Sequence, residues 1–148
     1  MPNDPDNLFS DLHHEAGRLC DGARLFTISV FDRAAGLAYR AYTSHPGEYP
    51  VTGTKPVQED AWFDRVVVQG KPFVANTTAE FAGLFPDHTL INSLGCEAVV
   101  NLPVRAGQQV IGTVNVLDRA GQFTPTRVAA LEALIERHTP ALVAAMTA

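Results

Sequence analysis

The sequence predicts an α+β fold: a central antiparallel β-sheet with terminal helices on one face, and loops and short helices forming a pocket on the other. Three observations carry this. Four apolar, β-rich runs arrive in two hairpin-like pairs, at residues 24–43 and 96–117. Segments of helical period open and close the chain. Between the two pairs lies a stretch rich in prolines, glycines and aromatic residues, too irregular for a strand and too apolar for solvent.

Residues 6–21 repeat apolar side chains at helical spacing (Leu8, Phe9, Leu12, Ala16, Leu19, Cys20), and Asp21-Gly22 ends the segment. His13 and His14 within it are expected to face water. Residues 24–31 and 37–43 read as strands joined by a turn at Asp32–Gly36. Residues 44–56 hold three prolines and two glycines and form a long loop, either a spacer or functional. Residues 56–69 follow helical spacing, with Gly70 at the C-cap position. A short strand at 73–76 follows, then a short helix capped by Thr77 or Thr78 that runs to Phe85. A second short helix, 88–94, has Asp87 as its cap. Strands 96–104 and 109–117 flank a three-residue turn, Ala106-Gly107-Gln108, which places Asn101 opposite Thr113. The last helix, 125–146, starts with Thr124 as N-cap and Pro125 as first residue, and Pro140 is expected to kink or split it.

Alternation along each strand separates two faces. Phe26, Ile28, Val30, Ala98, Val100, Leu102, Val110, Gly112, Val114 and Val116 make a face without hydrogen-bonding side chains, expected to pack on the terminal helices, with Gly112 admitting a close approach. The other face mixes apolar residues with Thr27, Ser29, Asn101, Thr113 and Asn115. The apolar residues of 44–95 need a partner, and this mixed face is the one left. An apolar lid over a sheet with a few polar groups describes a small-molecule pocket.

Composition narrows the class further. The chain's 148 residues suit a single domain, expected over 1–148. A formal charge of −5 without a Lys/Arg cluster argues against nucleic-acid binding and against an anionic membrane surface. No apolar run reaches membrane-spanning length, and the polar start does not read as a secretory signal, so a cytoplasmic protein with reduced thiols is expected. Cys20 and Cys96 are widely spaced and form no CxxC pair. No cofactor and no metal site is expected.

Several residues could carry chemistry. Ser29, Asn101, Thr113 and Asn115 offer hydrogen bonds to a ligand, and Asn101 and Asn115, unusual in strands, equally suit a structural pair. Trp62 is either core or pocket wall, and Phe73, Phe85 and Leu94 suit walls. Arg40 and Lys55 are either partners for an anionic ligand, Arg suiting a carboxylate or phosphate, or ordinary surface charges, the reading taken for Lys55, and His45 and His88 flank the pocket in loops. Cys96 is read as a buried, inert thiol. Its alternative role is a nucleophile, which would need a lowered pKa.

The run Ser93-Leu-Gly-Cys-Glu-Ala-Val-Val-Asn-Leu-Pro-Val104, a Gly turn, Val110-Ile-Gly-Thr-Val-Asn-Val-Leu117 and Phe123, preceded by Gly70-Lys-Pro-Phe-Val-Ala-Asn76, resembles the GAF domain family. The resemblance spans residues 8–146. It implies a GAF/PAS-like sheet of about six antiparallel strands, a pocket opposite the terminal helices, and a homodimer through the first and last helices. The cyclic-nucleotide signature of the family is missing, and Cys96 is followed by Glu97 rather than the His of bilin-binding members. The family's free methionine sulfoxide reductases need several cysteines near the pocket. The resemblance thus implies a sensory, small-molecule-binding domain, with a thiol reductase using Cys96 or a ligand-free dimerising scaffold as alternatives. No kinase, cyclase or DNA-binding segment follows Met146, so the domain is expected to act alone or through a separate signalling partner.

Overall fold

The computed structural model describes residues 5–147; residues 1–4 and 148 of the expected 1–148 domain lie outside the described residues. The elements are α1 (Pro5–Cys20), β1 (Leu25–Asp32), β2 (Leu37–Thr43), β3 (Lys55–Pro56), α2 (Ala61–Phe63), a π-helical turn (Asp64–Val68), β4 (Phe73–Ala75), α3 (Thr78–Phe81), α4 (His88–Ser93), β5 (Ala98–Ala106), β6 (Gln109–Asp118) and α5 (Pro125–Met146). The strands form one antiparallel sheet in the order β3-β2-β1-β6-β5-β4. The α+β class and the sheet with a helix-covered face are as the sequence predicts.

The helix-covered face holds the larger core. Phe26, Ile28, Val30, Val100, Leu102, Val114 and Val116 meet Phe9, Leu12 and Ala16 of α1 and Leu131, Leu134, Ile135, Leu142 and Met146 of α5. Removing this apolar surface from water is the main force holding the helices on the sheet. Gly112 is the point of closest approach: a Cβ there would run into the Ser29 carbonyl oxygen and Met146 Cε. The opposite face carries a second cluster, in which Leu25, Val99 and Leu117 meet Tyr49, Phe81 and Ile91. The segment between the hairpins therefore covers the mixed face.

The β5–β6 hairpin corrects the expected register. Ala106 pairs with Gln109, so the turn has two residues rather than three. A β-bulge then shifts the pairing between Val104 and Arg105, Val104 facing Gly112 and Arg105 facing Val110. Asn101 consequently lies opposite Asn115, not Thr113, which lies between Pro103 and Ser29. The extra residue also rotates the strand end. Val110 packs with Phe63 and Val67 on the pocket side, while Ile111 turns to the helix side, the reverse of simple alternation.

Other local expectations change for identifiable reasons. The helix expected over 56–69 begins only at Ala61. Lys55–Pro56 pair as an edge strand with Leu37 and Ala38, and Asp60 Oδ1 caps α2 by accepting from the Phe63 amide at 2.9 Å. The chain then widens into the π turn, closed by Gln69 N–H to Asp64 C=O at 2.9 Å, which buries the consecutive Val66 and Val67. Gly70 follows with φ +65°, and Arg105 Nη2 donates to its carbonyl oxygen at 2.9 Å. Neither Thr77 nor Asp87 caps the following helix with its side chain, and α3 ends at Phe81. Pro140 removes one donor but does not split α5, where His138 Nδ1 and Thr139 Oγ1 each lie 2.8–2.9 Å from a carbonyl one turn back. His13 does not simply face water: it stacks on Phe26 at 4.9 Å, with Nε2 2.8 Å from the Ala23 carbonyl oxygen. Among the described residues no helix is long and apolar enough to cross a membrane.

Candidate ligand-binding site

A cavity of about 290 Å³ opens between the mixed face and the segment that covers it. Its floor is the sheet: Leu25, Thr27 and Ser29 of β1, Asn101 of β5, and Thr113, Asn115 and Leu117 of β6. Its roof and sides come from Tyr49, Trp62, Leu84, Phe85 and Ile91. Arg40, Lys55, Asp60 and Asp87 supply the charges at its edge. The volume lies near the lower end for small-molecule sites, and the mixture of apolar wall and few polar groups is typical of them.

A directed hydrogen-bond chain crosses the floor. Trp62 Nε1 donates to Asn101 Oδ1 at 2.8 Å, Asn101 Nδ2 donates to Asn115 Oδ1 at 2.7 Å, and Asn115 Nδ2 donates to Thr27 Oγ1 and Ser29 Oγ, both at 3.1 Å. Indole N–H is a donor only, so it fixes the orientation of the Asn101 amide, and that amide fixes Asn115. Both hydroxyls at the end of the chain are used as acceptors, so their own protons remain to be donated. The two asparagines thus satisfy each other as a structural pair, and the chain leaves hydroxyl donors on the floor.

The rim is held by a second set of contacts. Tyr49 Oη donates to Asp87 Oδ2 at 2.5 Å, tying the 44–54 loop to the start of α4. Burial, then the Asp87 carboxylate, pushes the Tyr49 phenol well above its ordinary range. Arg40 Nη1 donates to the Pro50 carbonyl oxygen at 2.8 Å, and its Cζ lies 4.9 Å from the centre of the Tyr49 ring. Burial lowers the pKa of this guanidinium, and its Nε is covered by protein without a partner.

These observations of fold and cavity meet the comparisons with known proteins. The model of the GAF domain family matches residues 2–142. The chain belongs to the GAF domain family. Members of it are generally sensory domains that bind small molecules. Solved GAF structures superpose on nearly the whole chain. A GAF domain/HD domain protein from Geobacter sulfurreducens is 15% identical, with 97% of this chain and 95% of that chain covered and a TM-score of 0.76. The second GAF domain of DevS from Mycobacterium smegmatis is 20% identical, with 97% and 96% covered and a TM-score of 0.67. The PixJ GAF domain of Thermosynechococcus elongatus, crystallised in its blue-light absorbing form, is 16% identical, with 94% and 84% covered and a TM-score of 0.67. No curated protein matches the chain in sequence.

Within this GAF domain the cavity brings together eight of the residues singled out from the sequence: Ser29, Arg40, Lys55, Trp62, Phe85, Asn101, Thr113 and Asn115. Five others are placed elsewhere. Phe73 stacks on Phe85 from behind, with ring centres 5.9 Å apart, and Leu94 packs into the same apolar cluster. His88 turns back, its Nδ1 2.9 Å from the Phe85 carbonyl oxygen, and His45 lies against Ser44 Oγ at 2.8 Å. Cys96 is fully buried in the cluster beneath the cavity rather than lining it. Burial and Asp118 push its thiol up to about 11, the opposite of what a thiolate nucleophile needs. Cys20 is likewise buried, its pKa raised by desolvation. Among the described residues no group of three or more His, Cys, Asp or Glu could hold a metal ion.

Sequence reasoning missed Tyr49 and Asp87 as site residues. Tyr49 sits in a proline-rich loop with no periodicity to show which way it points. Asp87 stood at a cap position, and its carboxylate is instead taken by Tyr49.

Proposed function

We propose that this GAF domain is a regulatory module that binds a small, partly apolar metabolite in the cavity between the sheet and residues 44–95. The observation that carries this reading is the hydrogen-bond chain from Trp62 to Thr27 and Ser29, which leaves oriented hydroxyl donors on the floor beneath largely apolar walls. A filled core would close such donors onto internal acceptors. Here they face an open volume beside a guanidinium that forms none of the salt bridges found among the described residues.

Binding would reach the rest of the molecule along β1 and β6. Their other face packs on α1 and α5, the helices through which a homodimer or a separate signalling protein would be engaged. The buried, unactivated Cys96 speaks for binding rather than thiol-dependent turnover, and reduced cysteines agree with a cytoplasmic setting.

Native mass spectrometry of the freshly purified protein tests the reading, backed by titration of a metabolite library followed by Trp62 fluorescence. Trp62 is the only tryptophan, so its emission reports from the cavity wall. The expected result is a bound mass that is lost on denaturation, or a saturable change in emission with some metabolite. A protein that carries no ligand and leaves Trp62 unmoved across the library would overturn it. The mass spectrum also shows whether the protein is a dimer.

A further inference from the structure

The chemistry around the cavity is unevenly distributed, and this narrows the class of ligand. A side chamber of about 150 Å³ adjoins the main cavity. It is lined by the hydroxyl-bearing Ser29, Tyr39, Thr52 and Thr54 and by the two cations Arg40 and Lys55, and among the described residues no carboxylate lines it. Ser29, Arg40 and Lys55 border both volumes. The two carboxylates of the main cavity are already engaged: Asp60 by the Phe63 amide, Asp87 by the Tyr49 phenol.

Strand register builds the junction. Arg40 on β2 lies opposite Ser29 on β1, and Ser29 lies opposite Thr113 on β6. Directly opposed residues point to the same face with Cβ atoms about 5 Å apart. The sheet therefore presents a cation and two hydroxyls in one row across three strands. Ser29 Oγ accepts from Asn115 and keeps its own proton to donate.

Arg40 lacks what a desolvated guanidinium needs. Its one hydrogen bond is to a neutral carbonyl, its Nε has no partner, and the salt bridges among the described residues are Glu15–Arg18 and Arg24–Asp118. The Asp87 carboxylate acts on this charge from a distance but is hydrogen-bonded to Tyr49, so no salt bridge pairs the half-buried guanidinium, and a ligand that brings a carboxylate against it recovers part of its desolvation cost.

Taking the domain as a small-molecule sensor, we propose that its cavity binds a small organic acid. The carboxylate sits where the side chamber meets the main one, against Arg40 and the hydroxyl of Ser29. The apolar body of the acid lies in the main chamber against Leu84, Phe85 and Trp62. A singly charged, planar carboxylate matches a guanidinium with one side already given to Pro50. A phosphate monoester would bring a second negative charge into a cavity whose main chamber already holds Asp60 and Asp87.

The test uses three probes of one shape: phenylacetate, phenylacetamide and phenyl phosphate, titrated against the whole protein with Trp62 emission and melting temperature as readouts. The acid is expected to bind at least about tenfold more tightly than the amide, the size of one charge-assisted hydrogen bond. Arg40→Met should remove that preference, so that acid and amide bind alike, while the ligand-free variant still melts cooperatively, about 3–6 °C lower for the lost contacts to Pro50 and Tyr49. Equal binding of acid and amide, tighter binding of the phosphate, or an Arg40→Met protein that keeps the preference would overturn the proposal. Should Arg40→Met not fold, the comparison of acid with amide on the unsubstituted protein decides alone. A neutral or cationic metabolite that saturates Trp62 emission while no acid binds would remove the carboxylate and leave the sensor reading intact. If nothing binds at all, both fall.

Discussion

Replacing Asn101 by Leu tests the floor of the cavity most directly. Asn101 is 4% exposed and sits between Trp62 and Asn115. Leucine has a similar volume, so little cavity term arises. Two hydrogen bonds are lost, each contributing about 1 kcal/mol net. The freed Trp62 N–H can turn toward the open cavity, but Asn115 Oδ1 is left buried without a donor, a penalty of about 1–3 kcal/mol. The expected loss is about 3–5 kcal/mol. For a chain of this size that lowers Tm by roughly 9–15 °C. Asn115→Leu should cost a similar amount, because it strands Asn101 Nδ2. The double variant leaves no orphaned amide, so its cost should fall short of the sum by about 1–2 kcal/mol. Urea midpoints and thermal melts of the four proteins provide the cycle. Strict additivity, or a Tm shift under about 3 °C for Asn101→Leu, would refute a connected, buried chain and mean that water already satisfies these amides.

Gly112→Ala puts a methyl group against the Ser29 carbonyl oxygen and Met146 Cε, and should destabilise by about 1–3 kcal/mol, read as a lower denaturant midpoint, where Ala for Gly in an ordinary strand would not. Cys96 has a folded pKa raised from 9.0 to about 11, so its contribution is fully present below pH 9 and is lost as pH rises toward 11. Urea midpoints at pH 8, 9 and 10 should therefore fall with pH, and less steeply in Cys96→Ala, since Tyr49, shifted in the same direction, keeps part of the slope. The native protein should leave both cysteines unreacted with a thiol reagent at pH 8 and expose them in denaturant. Tyr49→Phe removes the bond to Asp87, and limited proteolysis should then cut the 44–54 loop faster while cleavage elsewhere is unchanged.

Much of this GAF domain was determined by local pattern in the sequence. Strand alternation separated the face of Phe26, Ile28, Val100 and Val116 from that of Ser29, Asn101, Thr113 and Asn115, because neighbouring side chains on a strand must point to opposite sides. Helical spacing at Leu12, Ala16, Leu131 and Ile135 marked the covering helices for the same geometric reason. Tertiary structure decided what depends on partners far apart in the chain. A two-residue turn and a bulge at Val104–Arg105 set Asn101 against Asn115 and turned Val110 away from the helices, and no single strand records its own register. The 56–69 segment starts its helix only at Ala61, after β2 recruits Lys55 and Pro56 as an edge, and widens into a π turn that buries Val66 and Val67 together. Tyr49 and Asp87 became rim residues by meeting across 38 positions of sequence, and Arg40 was left without a salt bridge because the Asp87 carboxylate is taken by Tyr49. Periodicity reports which way a side chain points within its own element. Only the packing of the elements reports what it meets there.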